Sequence, residues 1–438
     1  MRSRISHVTR RRGVAKFGWG VADQSLSSLT NFITAALVAR AAGVEEFGVF
    51  AVAFATYTLC LGTARSITGE PLVARFSGVD EARWRDAVKA SVGVALLLGF
   101  LFALLAILCS VTFLTGSFSS TFFVLGLTFP GLILQDAWRH AFFASGHQRR
   151  AFANDSAWAI LLVIALVIVL LGRRHSASAF MLAWGVSASG AAAVGCLQAR
   201  LIPHASRALP WLKKQSDLSV RFLGEFLALT GATQFMLYGL VVTSGVEAVG
   251  ALRAGMVAMG PVNILLMGVT LVGIPEAVAI VRKDGDVRRF CMGLSMALAV
   301  AAFTWGTVVM VMPEQVGAFV LGETWQEASS TLLPLTLWIG GNALVAGALT
   351  GLRALQAAGR SLRAQVVSAS ARFLLGLSGG AVAGAVGAAW GVAGATLFTS
   401  AIWWHQLSGA IAQREAETFS SRRGSGSIPR PERGLAEP

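Results

Sequence analysis

The chain of 438 residues has 55% hydrophobic and 13% charged residues, a net charge of +14 and a mean hydropathy of +0.66. Soluble domains carry about 25% charged residues, so the composition excludes an ordinary soluble protein and points to a polytopic membrane protein. Its four cysteines, Cys60, Cys109, Cys196 and Cys291, lie far apart inside apolar runs without any C-x-x-C pair. They read as small core residues rather than disulfides or metal ligands.

A spanning helix needs about 20 predominantly apolar residues. On that rule the chain is all-α, with about twelve transmembrane helices predicted at 17–39, 47–68, 89–112, 118–137, 155–172, 177–198, 221–242, 250–274, 290–312, 331–350, 365–386 and 388–409. Residues 1–16 are expected to form a basic cytoplasmic amino terminus, 17–198 and 221–409 two six-helix lobes, 199–220 a cytoplasmic linker and 410–438 a disordered cytoplasmic tail. Arg10-Arg11-Arg12 before an apolar run resembles a signal peptide. Asp23 and Asn31 interrupt the apolar core that cleavage requires, so the run is expected to remain as the first span.

The first two spans flank a turn, Gly43-Val44-Glu45-Glu46-Phe47-Gly48. At an ungapped offset of 202 positions it returns as Gly245-Val246-Glu247-Ala248-Val249-Gly250, and Asp23 falls on Glu225. A repeat of this kind implies two homologous lobes. Within span one, Asp23, Ser27, Asn31 and Thr34 recur at helical spacing and make a polar stripe. In lipid such a face must look at protein or water.

Loops on alternate sides differ sharply in charge. The amino terminus and the loops sharing its side hold 31 of the 36 Lys and Arg, whereas the opposite side holds Arg40, Arg173, Arg174 and Arg253, with Arg372 inside a span. The positive-inside rule then places both termini in the cytoplasm. Spread over seven short segments beside membrane ends, the charge is explained by topology and anionic lipid, with no need for nucleic acid.

Enzyme motifs are scarce. No lysine follows a glycine, so no phosphate-binding G-x-x-x-x-G-K-[ST] loop exists, and no G-x-S-x-G elbow is present. His140 and His147 read as solvated or interfacial, and Asp284-Gly285-Asp286 as a polar turn rather than a metal site.

The run from Trp19-Gly20 through Asp23-Gln24 to Ala39-Arg40-Ala41-Ala42-Gly43-Val44-Glu45-Glu46-Phe47-Gly48 resembles the opening of bacterial polysaccharide-unit flippases. These belong to the multidrug/oligosaccharidyl-lipid/polysaccharide exporter superfamily. Ala141 to Ala151, with Gly146 and Arg150, is echoed by Ala354 to Ala364, with Gly359 and Arg363. The resemblance implies two six-helix lobes around a cavity that opens alternately to either side of the bacterial plasma membrane and moves a lipid-linked oligosaccharide outward. Polysaccharide polymerase and glycosyltransferases are the implied partners.

A sugar head on a diphosphate cannot cross hydrocarbon unaided, since each unpaired polar group costs several kcal/mol there. The polar residues of the spans are therefore the candidate site. Arg65, Arg372, Arg139 and Arg253 suit phosphate oxygens through their planar forks, with snorkelling the alternative for Arg139 and Arg253. Asn31, Gln234, Asn263 and Asn342 can bind sugar hydroxyls or else join helices to one another. Glu70 and Asp136 read as partners for nearby arginines. Asp23 is the expected coupling or gating residue, by H+ or Na+ and without any other cofactor, and Glu225 its repeat partner, read mainly as a helix cap. Pro130, Pro261 and Pro275 mark hinges. Two other readings stay open: a cation-coupled drug exporter of the same superfamily, which wants a cavity lined by acids, and a membrane glycosyltransferase or polymerase, for which no donor site is evident.

Overall fold

Lipid offers no partner to a backbone N–H or C=O, so each apolar run must satisfy its own backbone and form a helix. The structure, a computed structural model, describes the backbone of residues 2–425 except 173 and 174, and the side chains of 18–417 with a few exceptions. The expectations for the basic side chains of 1–16, for Arg173 and Arg174, and for the end of the tail fall outside the described residues.

Among the described residues there are helices and no strands. In chain order they are α1 (Arg2–Ala64), α2 (Glu70–Phe76), α3 (Glu81–Thr112), α4 (Gly116–Ala144), α5 (Gln148–Leu171), α6 (Ala177–Ala199), α7 (Ala208–Phe226), α8 (Ala232–Ala258), α9 (Gly260–Arg282), α10 (Val287–Met310), α11 (Glu314–Leu321), α12 (Thr324–Ser329), α13 (Leu332–Ala354) and α14 (Ala358–Ser425). Two π-helical turns, Arg65–Gly69 and Leu227–Gly231, join α1 to α2 and α7 to α8. Nine of the helices or continuous runs of helix are long and apolar enough to cross a membrane. Several hold a sharp break: Gly43 in α1, Gly245 in α8, and Ala383–Gly384 in α14. Cut at those breaks, and with α9 continuing the second half of α8, the described residues yield twelve membrane-length segments in the predicted order. They are called spans one to twelve below.

The repeat is visible in the backbone. Gly43 has φ 79° and ψ 168°, and Gly245, 202 positions on, has φ 84° and ψ 170°. That conformation is closed to residues with a Cβ. The two turns also meet reciprocally: a Cβ at Gly48 would strike the Val246 carbonyl, and one at Gly250 would strike the Val44 carbonyl. Each of these residues is the 202-offset partner of one on the other side, so the contact has the two-fold character of an isologous interface.

Side-chain contacts sort the connections onto two faces. Glu46, beside the first break, accepts from Ser117 at the start of α4 and from the Ala177 N–H at the start of α6 (2.6 Å). Ser244 donates to the Gly380 carbonyl near the last break at 2.7 Å, and Arg40 lies over the Phe319 ring of α11. These connections form one end of the bundle, the turn face. The Lys- and Arg-rich connections form the other: His204 N–H bonds the Lys89 carbonyl (3.0 Å), and Arg414 bonds the Val281 carbonyl (2.8 Å).

Four expectations are corrected. The tail, expected to be disordered from 410, continues as helix to Ser425, the end of α14. Within the linker, α7 starts at Ala208 and runs without a stop into span seven. Glu225 therefore sits in the last turn of α7, where it cannot cap a helix start. The repeat of Gly146 is Gln356, not Gly359: both have positive φ, and the bonds His147 N–H to Phe142 O and Ala357 N–H to Leu352 O recur at an offset of 210. The shift follows from the helix end, which fixes the left-handed position whatever residue fills it. Arg253 belongs to a helix and not to a turn-face loop, since the break at Gly245 leaves seven residues of helix before it.

Candidate functional site

Two polar features lie inside the spans. The first is an ionic cluster wholly within the first lobe, where spans one, two, four and five pack together. Asp23 is fully buried, and its Oδ2 accepts from Nε (2.8 Å) and Nη2 (2.6 Å) of Arg139. Asp155 lies 3.3 Å from the same Nε. Gln135 donates to Asp155 Oδ1 at 2.8 Å and to Asn154 Oδ1 at 3.2 Å, and Asn154 donates to the Ala191 carbonyl. One helical turn from Arg139, Asp136 holds Arg65 through two parallel bonds of 2.8 and 2.6 Å and has His140 Nδ1 at 3.4 Å.

Taking ions out of water costs several kcal/mol each, and only close, well-bonded partners offset it. That explains the fork geometry at both arginines. It also exposes an imbalance: three carboxylates meet two guanidiniums, and Asp23 Oδ1 is buried with no hydrogen-bond partner among the described residues. A small cation or a proton on this group would correct both.

The second feature is a cavity of about 330 Å³ between the lobes. Span one supplies Ser28, Asn31 and Thr34, span eight Arg253 and Asn263, and aromatic walls come from Phe47, Phe50 and Phe54 of span two, Trp184 of span six and Trp338 of span ten. Asn31 and Asn263 are exposed, so the cavity is wet although both lie within membrane-length helices. Arg253 is half-buried and makes no ion pair among the described residues, and no Asp or Glu lines the cavity. Its surroundings are therefore those of an anion site.

The predicted residues thus divide. Asp23, Arg139 and Arg65 meet in the cluster, and Asn31, Arg253 and Asn263 meet in the cavity. Arg139 is not a snorkelling end residue: its side chain is 12% exposed. The polar stripe of span one splits, Asp23 turning into the first lobe while Asn31 and Thr34 face the cavity. Among the described residues, Gln234 is buried in α8 with an unpartnered Oε1, Asn342 is half-buried in α13, and Arg372 bonds only back to the Ser368 carbonyl of its own helix at 3.3 Å. Glu225 is exposed. None of these four lines the central cavity. Sequence reading missed Asp155, Asn154 and Gln135 and took His140 as solvated. The signal was present as Gln135-Asp136 and Asn154-Asp155, two amide–acid pairs inside otherwise apolar runs. Asp286, by contrast, caps α10 by accepting from Arg289 N–H, as a polar turn should.

No protein-family model matches the chain, and no curated protein matches its sequence. Solved structures do. The lipid II flippase MurJ in an inward closed conformation is similar with a TM-score of 0.70 at 10% identity, over 90% of this chain and 87% of that one. An inward-facing multidrug resistance MATE family transporter of the MOP superfamily gives 0.64 at 13% identity, over 88% and 95%. An outward-facing MATE transporter of that superfamily gives 0.54 at 14% identity, over 89% and 94%. The fold of this multi-pass membrane protein is that of MOP superfamily transporters.

Proposed function

We infer that a chain with this fold and this cavity is a transporter, not an enzyme, and that it flips a lipid-linked oligosaccharide or polysaccharide repeat unit outward across the bacterial plasma membrane, with both termini in the cytoplasm. The observation that carries the reading is the charge of the central cavity: one unpaired guanidinium, Arg253, two exposed amides and no acid. A guanidinium in a water-filled but largely apolar wall binds a diphosphate through paired, charge-assisted bonds. Asn31 and Asn263 offer donors and acceptors to sugar hydroxyls. A carrier of cationic drugs would want the opposite sign there.

Coupling falls to the ionic cluster. Asp23, one oxygen of which is free, takes up H+ or Na+, and the load alters how tightly Arg139 ties span one to spans four and five. The higher similarity to inward-state structures supports a resting state sealed at the turn face by the Gly43 and Gly245 turns. Glycosyltransferases would supply the substrate, and a polymerase would consume it.

A deletion strain tests the reading. Undecorated lipid-linked intermediates are expected to accumulate on the cytoplasmic side. Normal surface polysaccharide combined with drug sensitivity would assign the chain to the exporters instead. Arg253→Ala should reduce flipping about 10- to 100-fold, the loss of a charge-assisted bond of about 1.5–3 kcal/mol, without loss of protein from the membrane. Arg253→Lys should restore only part of it.

A further inference from the structure

The repeat that pairs Asp23 with Glu225 does not reproduce the ionic cluster in the second lobe. At the 210 offset fixed by the matching helix ends, Arg139 corresponds to Leu349 and Asp136 to Ala346, both apolar. An arginine appears one turn later, at Arg353, in the last turn of α13. Glu225 and Arg353 both line one cavity of about 290 Å³ on the basic face, together with Gln356, Ser361, Gln365 and Trp403. Both are exposed, and neither makes an ion pair or a side-chain hydrogen bond among the described residues. Opposite charges thus face one space without neutralising each other.

The cavity opens beside an exposed apolar surface. Leu362, on its rim, is 53% exposed, and Val366, one turn along α14, is 46% exposed, a face suited to acyl chains. Its polar end lies where α13 ends and α14 begins, at the level of the basic connections. A headgroup there meets a cation and an anion at once, with two amides and a hydroxyl between them, while its chains lie along α14.

We propose that this cavity is a binding site for a zwitterionic phospholipid headgroup carrying a primary ammonium, phosphatidylethanolamine in chemical class, with Arg353 on the phosphate and Glu225 on the ammonium. An anionic headgroup would gain the guanidinium but meet the Glu225 carboxylate unpaired, and that penalty supplies the selectivity. A trimethylammonium headgroup lacks the N–H donors that a carboxylate accepts. Basic clefts between helices on this side of a membrane are suited to headgroups in general, and the acid narrows the choice. The site does not depend on which substrate the central cavity carries.

Native mass spectrometry of the purified full chain, titrated with phosphatidylethanolamine, phosphatidylcholine or phosphatidylglycerol of identical acyl chains, tests it. A several-fold preference for phosphatidylethanolamine is expected. Glu225→Gln should abolish that preference and raise phosphatidylglycerol binding, and Arg353→Gln should weaken all three lipids. Each variant is accepted only if it remains monodisperse, and the two report on opposite ends of the site. Equal binding of the three lipids by the native chain would overturn the proposal, as would a preference untouched by both substitutions. Displacement of the lipid by soluble O-phosphoethanolamine, with the same dependence on Glu225 and Arg353, would reassign the site to a free zwitterion.

Discussion

Asp23 shows how far one residue can be read from its neighbours in sequence and where that stops. Its position in an apolar run makes it costly, and the cost demands a partner, but the partners Arg139 and Asp155 come from spans four and five and are fixed only by packing. Removing one member of a buried ion pair costs about 3–5 kcal/mol, mainly by stranding the other. The two sides of this pair are not equivalent. Asp23→Asn leaves Arg139 with Asp155, so the protein should remain folded while export slows and loses its pH or sodium dependence. Arg139→Ala leaves Asp23 and Asp155 facing each other as unneutralised acids and should lower the thermal midpoint in detergent much more. Equal midpoints for the two variants would show that Asp155 does not share the guanidinium. The cavity was less legible than the cluster. Asn31 and Asn263 were visible as amides in apolar runs, but the direction of Arg253 depends on the break at Gly245, and the aromatic wall of Phe50, Trp184 and Trp338 carries no polar signature at all.

Among the elements, the π-helical turn Arg65–Gly69 has the clearest mechanical role. A π turn widens the helix and releases carbonyls from their usual partners, and here the released groups are used. Ile67 O accepts from Trp211 Nε1 (3.4 Å) and from Ser219 Oγ (3.2 Å), both on α7, while Thr68 O accepts from Ser91 on α3 (3.1 Å). Farther out, Arg75 bonds the Lys214 carbonyl, Gln215 and Asp217, the last two at 2.7 and 2.5 Å. The helix that leads into the second lobe is therefore bolted to the end of span two. Deleting one residue within 65–69 should restore α-helical spacing, withdraw Ile67 O and free α7, measured as faster proteolysis between 199 and 226. Ser219→Ala, which removes one bond of about 1 kcal/mol, should have a small effect of the same sign. None of this was readable in the sequence, because a π turn has no residue signature and the linker's apolar spacing extends span seven without a visible stop. Span existence and order, by contrast, follow from hydropathy alone, since lipid allows an apolar run of that length only one structure.

At the scale of the whole molecule, the two lobes meet beneath the Gly43 and Gly245 turns, and alternating access requires that contact to break. Gly48 lies on the Val246 carbonyl and Gly250 on the Val44 carbonyl, so the lobes touch backbone to backbone, with the Val246 and Val44 side chains alongside. Such close approach is favourable in lipid because it brings main-chain surfaces into dispersion contact, and it is lost entirely when one methyl group intrudes. A bulky residue at either position should therefore wedge the turn face open and bias the population towards the outward-open state. Because the contact is reciprocal, Gly48→Leu and Gly250→Leu should act alike, although they lie in different lobes. The measurement is a disulfide between Cys residues placed at Val44 and Ala251, in a background without Cys60, Cys109, Cys196 and Cys291. Cross-linking should be efficient in that parent and fall several-fold with Gly48→Leu, together with a loss of export. Retained cross-linking and export in the Gly48→Leu variant would mean that the turns are spacers and that the lobes separate at another level, with the hinges at Pro261 and Pro275 of span eight the next place to look.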